Sequence, residues 1–139
     1  MHFTIGGYNF IGPEEITPGL EMRVSSAFSI AHLKDTGGAI SYEEWRKAGL
    51  IDGWNATLEF LKAVLKPGRD APPIEEALEK ARPNEVALDK KGKITGMKDG
   101  EVQIVWNWYV EKKGKKKPSA TASANALNPS PEKAENASG

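Results

Sequence analysis

Apolar and polar positions follow two different periods along this chain, and the change from one to the other sets the expected elements. Phe3-Thr4-Ile5 and Tyr8-Asn9-Phe10-Ile11 alternate with period two on either side of Gly6-Gly7. Two glycines between alternating runs predict a hairpin with a two-residue turn, because both turn positions need positive φ. Gly12-Pro13 ends the second strand. The period then lengthens. Thr17 before Pro18 is an N-cap followed by proline at the first helical position. Leu20, Val24, Ala27, Phe28 and Ala31 form one helical stripe, expected to end near Lys34, before Gly37-Gly38. Ser41-Tyr42-Glu43-Glu44 reads as a capping box opening a short helix that closes at Gly49. Asp52 is expected to cap a third helix with the stripe Trp54, Leu58, Leu61 and Leu65, widened by Phe60 and Val64 and terminated by Pro67-Gly68. Pro73 starts a short helix through about Ala81, stopped by Pro83.

Between residues 85 and 111, Asp89-Lys90-Lys91-Gly92 and Lys98-Asp99-Gly100 are turn signals that separate three short runs. In the last run Val102, Ile104, Trp106, Trp108 and Val110 alternate with Gln103, Val105, Asn107, Tyr109 and Glu111. Period two in β-branched and aromatic residues favours a strand, and with it a C-terminal β-meander. A helix would also bring Ile104 beside Trp108 and Val105 beside Tyr109. From Lys112 the patterning stops. Lys112-Lys113-Gly114-Lys115-Lys116-Lys117 leads into a Pro/Ala/Ser/Asn tract ending at Gly139, in which Leu127 is the one large aliphatic residue and aromatics are absent. Such a tract buries too little surface to offset its ordering entropy. The expectation is an α+β domain over residues 1–111: an N-terminal β-hairpin, three to four short helices and a β-meander. A basic hinge and disordered tail would follow over residues 112–139.

Composition adjusts this picture. The 4 Trp, 4 Phe and 3 Tyr all precede Lys112 and supply large core side chains. A domain of about 110 residues buries roughly two-thirds of its unfolded surface and folds without covalent staples. Cysteine is absent, which excludes disulfides, thiolate metal sites and a cysteine nucleophile. The formal charge is zero, from 19 basic and 19 acidic residues, which argues against a dedicated nucleic-acid binder. Met1-His2-Phe3-Thr4 does not read as a secretory signal, and no apolar run approaches the roughly 18–20 residues that span a membrane. The expected compartment is the cytoplasm.

Candidate chemistry is sparse. Residues 33–44 resemble an EF-hand calcium loop from the middle onward, with Asp35 third, Gly38 sixth, Ile40 eighth and Glu44 twelfth. Leu33 occupies the first position, where a chelating Asp belongs, and Gly37 replaces the fifth-position ligand; a helix end followed by a capping box accounts for the same residues. Ser29, His32 and Asp35 are spaced by threes, but nothing supplies the presented hydroxyl and oxyanion hole that a serine triad needs. The paired glycines form neither a P-loop nor a dinucleotide fingerprint. Glu75, Glu76 and Glu79 read as a solvated helix face. Trp106, Trp108 and Tyr109 beside the lysine run could stack single-stranded bases, although the alternation places both tryptophans on one core-facing edge. No enzyme and no cofactor is implied.

The opening Phe3-Thr4-Ile5-Gly6-Gly7-Tyr8-Asn9-Phe10, with Pro13-Glu14-Glu15-Ile16-Thr17-Pro18-Gly19-Leu20, is similar to the strand, Gly-Gly turn, strand, proline, helix start of bacteriophage tail assembly chaperones. The helix from Trp54 to Leu65, ending at Pro67 and followed by a short acidic helix, matches the helical middle of that family. The lysine run Gly114-Lys115-Lys116-Lys117 could be encoded by the A-rich slippery sequence that gives many such genes a second, frameshifted product. The resemblance covers the layout of residues 3–80 and departs where residues 85–110 read as strands. It implies binding rather than catalysis: a chaperone that coats the tape-measure protein and helps recruit tail-tube subunits in the host cytoplasm, with self-association into a homo-oligomer left open. The binding surface would then draw on Trp54, Leu58, Leu61, Trp106 and Trp108, each also a candidate core residue. A small interaction or virion-associated domain and a degenerate EF-hand-like calcium module are the rival readings.

Overall fold

The computed structural model describes residues 1–116. The expected tail over residues 117–139 lies outside the described residues. The fold is mixed α+β, and residues 1–106 form one compact unit while a second begins at Asn107.

Strands β1 (His2–Ile5) and β2 (Tyr8–Ile11) pair antiparallel with Ile5 opposite Tyr8. Gly6 and Gly7 have φ of 62° and 87°, the left-handed pair that the two-residue turn requires. Phe3, Ile5 and Phe10 point inward and are buried. Strand β3 (Lys66–Pro67) adds to β2, with Phe10 opposite Pro67, in the order β1-β2-β3. Pro67 therefore does more than stop a helix, and its missing N–H is tolerated on an edge strand.

Helix α1 (Pro18–Thr36) is capped by Thr17 Oγ1, which accepts from the Leu20 N–H at 3.1 Å. It runs two residues past Lys34 and ends at Gly37, φ 63°, whose N–H donates to the Leu33 carbonyl. Helix α2 (Tyr42–Lys47) carries both halves of the capping box. The Glu44 N–H donates to Ser41 Oγ at 3.1 Å and the Ser41 N–H to Glu44 Oε1 at 3.2 Å. A 3₁₀ turn (Leu50–Asp52) then leads into α3 (Trp54–Val64). Asp52 does not cap α3, as its position had suggested. It closes the 3₁₀ turn, and Gly53 takes the N-cap without a side-chain bond. Helices α1 and α3 pack along each other, burying Leu20, Val24, Ala27 and Ala31 of one and Leu58, Phe60, Leu61 and Val64 of the other. Each fully buried large side chain contributes about 1.5–3 kcal/mol. Trp45 is fully buried against Ala31 and Ala56, with Phe28 and Ile51 completing the cluster. Helix α4 (Ile74–Leu78) is shorter than expected but keeps Glu75, Glu76 and Glu79 exposed.

Strands β4 (Glu85–Leu88) and β5 (Ile94–Lys98) form a second antiparallel hairpin. Asp89 organises its turn: Oδ1 accepts from the N–H groups of Lys91 at 2.8 Å and Lys93 at 2.9 Å, and Gly92 takes φ 81°. The third run of the expected meander is not a strand. Helix α5 (Glu101–Lys116) occupies it, running from the first unit into the second. Val105, Trp108 and Tyr109 are buried at helical spacing while Ile104, Trp106 and Val110 are exposed, so Trp106 and Trp108 do not share a face. Apolar residues at both odd and even positions made the run readable either way. The reversal at Gly100 starts the helix instead. There the Gly100 N–H donates to Asn84 Oδ1 at 2.6 Å and the Glu101 N–H to the Arg82 carbonyl at 2.9 Å. A side chain on Gly100 would meet the Arg82 carbonyl oxygen and the Asn84 nitrogen at 2.6 Å, so only glycine fits. Residues 112–116, expected as a basic hinge, continue α5, and the Lys113 ammonium lies 6.0 Å from the Tyr109 ring centroid.

Candidate partner-binding site

The first unit contains a cleft of about 530 Å³ whose walls come from α1, the 3₁₀ turn, α3 and the first turns of α5. Its aromatic wall is a three-ring cluster. Phe28 and Phe60 stack with centroids 6.1 Å apart and planes 14° from parallel. Trp106 meets both edge-on, at 6.2 Å from Phe28 and 5.1 Å from Phe60. Edge-to-face contacts at these distances are favourable and hold the indole in place. Phe60 is buried, Phe28 is partly buried and Trp106 is 38% exposed, so the cluster grades from core to surface. Ile51, Ala56 and Val102 extend the apolar lining, and Asp52, Thr57 and Asn84 supply its polar points. The Asp52 carboxylate is exposed and makes no hydrogen bond or ion pair among the described residues.

The five residues expected to bind a partner separate here. Trp106 lines the cleft, and Trp54, 45% exposed, opens α3 outside it. Leu58, Leu61 and Trp108 are buried, and a partner does not reach them in this conformation. Phe28, Ile51 and Asp52 also line the cleft, and the sequence pattern does not single them out. Phe28 sits within the stripe of α1 and read as core, while Asp52 read as a cap; neither pattern distinguishes a residue at the lip of a cleft from one beneath it.

The other sequence candidates are committed elsewhere. Asp35 accepts from Trp45 Nε1 at 2.8 Å through Oδ2 and from Asn55 Nδ2 at 2.7 Å through Oδ1. Glu44 belongs to the capping box, so the two carboxylates of the EF-hand-like segment are directed to different partners. His32 Nε2 donates to the Ile40 carbonyl at 2.7 Å, and its ring packs edge-on to Tyr42 and Trp45. Neither His32 nor Asp35 is thus turned toward Ser29. Among the described residues no three His, Asp or Glu side chains gather as a metal set, and no helix is long and apolar enough to cross a membrane.

Two further carboxylates are tied into the fold away from the cleft lining. Glu59 is buried on α3 and binds Lys34 at 2.8 Å and Lys62 at 3.6 Å. The hydrogen bond and negative charge of Glu59 raise the Lys34 pKa above its ordinary value. Glu101 lies at the start of α5. Its Oε1 accepts from the Gly6 N–H at 2.7 Å and the Arg82 N–H at 3.0 Å, joining the first hairpin turn to the base of the second. No protein-family model, curated protein or solved structure matches this chain.

Proposed function

We propose that this chain is a non-enzymatic partner-binding protein of the phage tail-assembly-chaperone type. It acts in the host cytoplasm and seats an amphipathic helix of a tape-measure protein on the cleft. The observation that carries this reading is the open aromatic wall itself: Trp106 stands 38% exposed over Phe28 and Phe60, at the mouth of a cleft of about 530 Å³. Helix-in-groove recognition needs such a surface, apolar at its base and open at its lip, to take anchor side chains at i, i+3 and i+4. Tryptophan is enriched among residues that dominate binding energy, and Trp54 offers a second exposed indole on the same unit. The Gly-Gly hairpin and the proline-led first helix add the likeness of layout described above.

The test is co-expression of the full chain with a phage tape-measure protein, followed by affinity measurement on the purified complex. Trp106→Ala is expected to weaken the complex by at least about 2 kcal/mol, roughly thirtyfold. An unchanged affinity would remove the cleft from the interface. Intact-mass analysis of the products of the native gene supplies an independent check. A minor species that shares residues up to about Lys117 and then diverges is the expected frameshift signature, and a single species ending at Gly139 would count against the chaperone reading.

A further inference from the structure

We infer that the cleft selects a cationic side chain, arginine above all, as the anchor of its partner. This inference rests on the partner-binding reading of the same cleft and gives that partner its chemistry. Three observations converge. Asp52 is the one ionisable residue among the described cleft-lining residues, so the formal charge of that lining is negative. Its carboxylate is exposed and makes no hydrogen bond or ion pair among the described residues, and is therefore available to an incoming donor. In the same lining, Phe28 and Trp106 contribute aromatic residues, and Ile51 and Val102 contribute aliphatic ones.

A purely apolar anchor would leave the carboxylate beside a closing apolar contact, which costs desolvation without return. An anionic anchor would meet it with like charge. A long cationic side chain matches each component of the lining: its methylene stem suits the aliphatic residues, and its charged head suits both aromatic rings and a carboxylate. Arginine fits better than lysine, because a guanidinium is planar, weakly hydrated, stacks on aromatic faces and pairs with a carboxylate through two parallel N–H bonds.

The test is an NMR titration of the ¹⁵N-labelled full chain with n-butylguanidinium and, separately, with n-butylurea, its neutral near-isostere, at constant ionic strength. The expected result is saturable shifts of the Trp106 indole N–H and the Ile51 and Thr57 amides. The cation should bind at least about fivefold more tightly than the urea. That preference should vanish in Asp52→Asn, a change at an exposed position. The wild-type preference should also shrink as salt is raised, which tests the charge without any substitution. Equal binding of the two probes, an undiminished preference in Asp52→Asn, or no saturable shift of Trp106 up to about 100 mM of either probe would each overturn the inference. The outcome is separable from that of the broader reading. If the probes bind equally while Trp106→Ala still weakens the tape-measure complex, the cationic anchor falls and the partner-binding cleft stands. If Trp106→Ala leaves that complex unchanged, the cleft itself is lost as an interface.

Discussion

The chain contains two hairpins that are alike as sequence and opposite as structure. In β1–β2 the inward residues Phe3, Ile5 and Phe10 are at most 6% exposed. In β4–β5 the apolar residues Val86, Leu88, Ile94 and Met97 are 49–65% exposed. The pairing of Val86 with Met97 and of Leu88 with Ile94 puts all four on one face of the ribbon. An isolated two-stranded hairpin is at best marginally stable in water, so each needs support from elsewhere. The first obtains it by burying a face and adding β3. The second obtains it at its ends, from the Asp89 turn and from the Asn84, Gly100 and Glu101 bonds at its base. Alternation thus specifies a strand pair, and it leaves open whether the apolar face is covered.

The largest test of that contrast is Phe10→Ala, expected to destabilise the fold by about 3–5 kcal/mol in urea denaturation, since a fully buried ring leaves a cavity. The counterpart, Leu88→Ala, should change stability by less than about 0.5 kcal/mol, and a loss comparable to Phe10→Ala would mean that the second hairpin is also a core element. Glu101→Ala should cost about 1–3 kcal/mol, because one substitution orphans the N–H groups of both Gly6 and Arg82. Its sharper signature is in hydrogen exchange, where the Gly6 and Arg82 amides should lose protection together; loss at only one would break the proposed link between the hairpins. Wild-type exchange should itself separate the two, with β1–β2 amides opening near the global free energy and β4–β5 amides well below it.

The smallest effect concerns pH. Glu59 raises the pKa of Lys34 in the folded state above 10.5, so their interaction adds stability that is fully present below the unfolded value. It is lost as pH rises through the higher folded value. Lys34→Met should therefore reduce stability modestly at pH near 9 and flatten the fall in stability as pH rises above the ordinary lysine value. Added salt should shrink the difference, because the Lys34 side chain is half exposed. A wild-type alkaline slope unchanged by the substitution would show that Glu59 and Lys34 do not interact in solution.

Local chemistry accounts for what was legible in the sequence. The Gly6-Gly7 turn, the Thr17-Pro18 start of α1, the Ser41–Glu44 capping box and the Asp89–Gly92 turn all appear where residue type demanded them. Each is decided within a few residues, by positive φ or by a side chain that satisfies a nearby N–H. The site was less legible. Trp106 lines the cleft, but Leu58 and Leu61, equally apolar positions of the sequence pattern, lie in the core. A helical stripe of apolar residues reads the same whether a neighbour covers it or a cleft ends over it.

The sequence by itself determined the class of the fold, the places where the chain turns, and which faces of α1 and α3 are apolar. Tertiary structure decided the rest: that residues 102–110 coil rather than extend, that Phe28, Phe60 and Trp106 meet, and that Asp52 lines the same cleft. The run over residues 102–110 satisfies both periods, so its own propensity does not choose. The choice falls to contacts remote in sequence, the Gly100 reversal against residues 82–84 and the Glu101 carboxylate reaching back to Gly6, which no local pattern encodes.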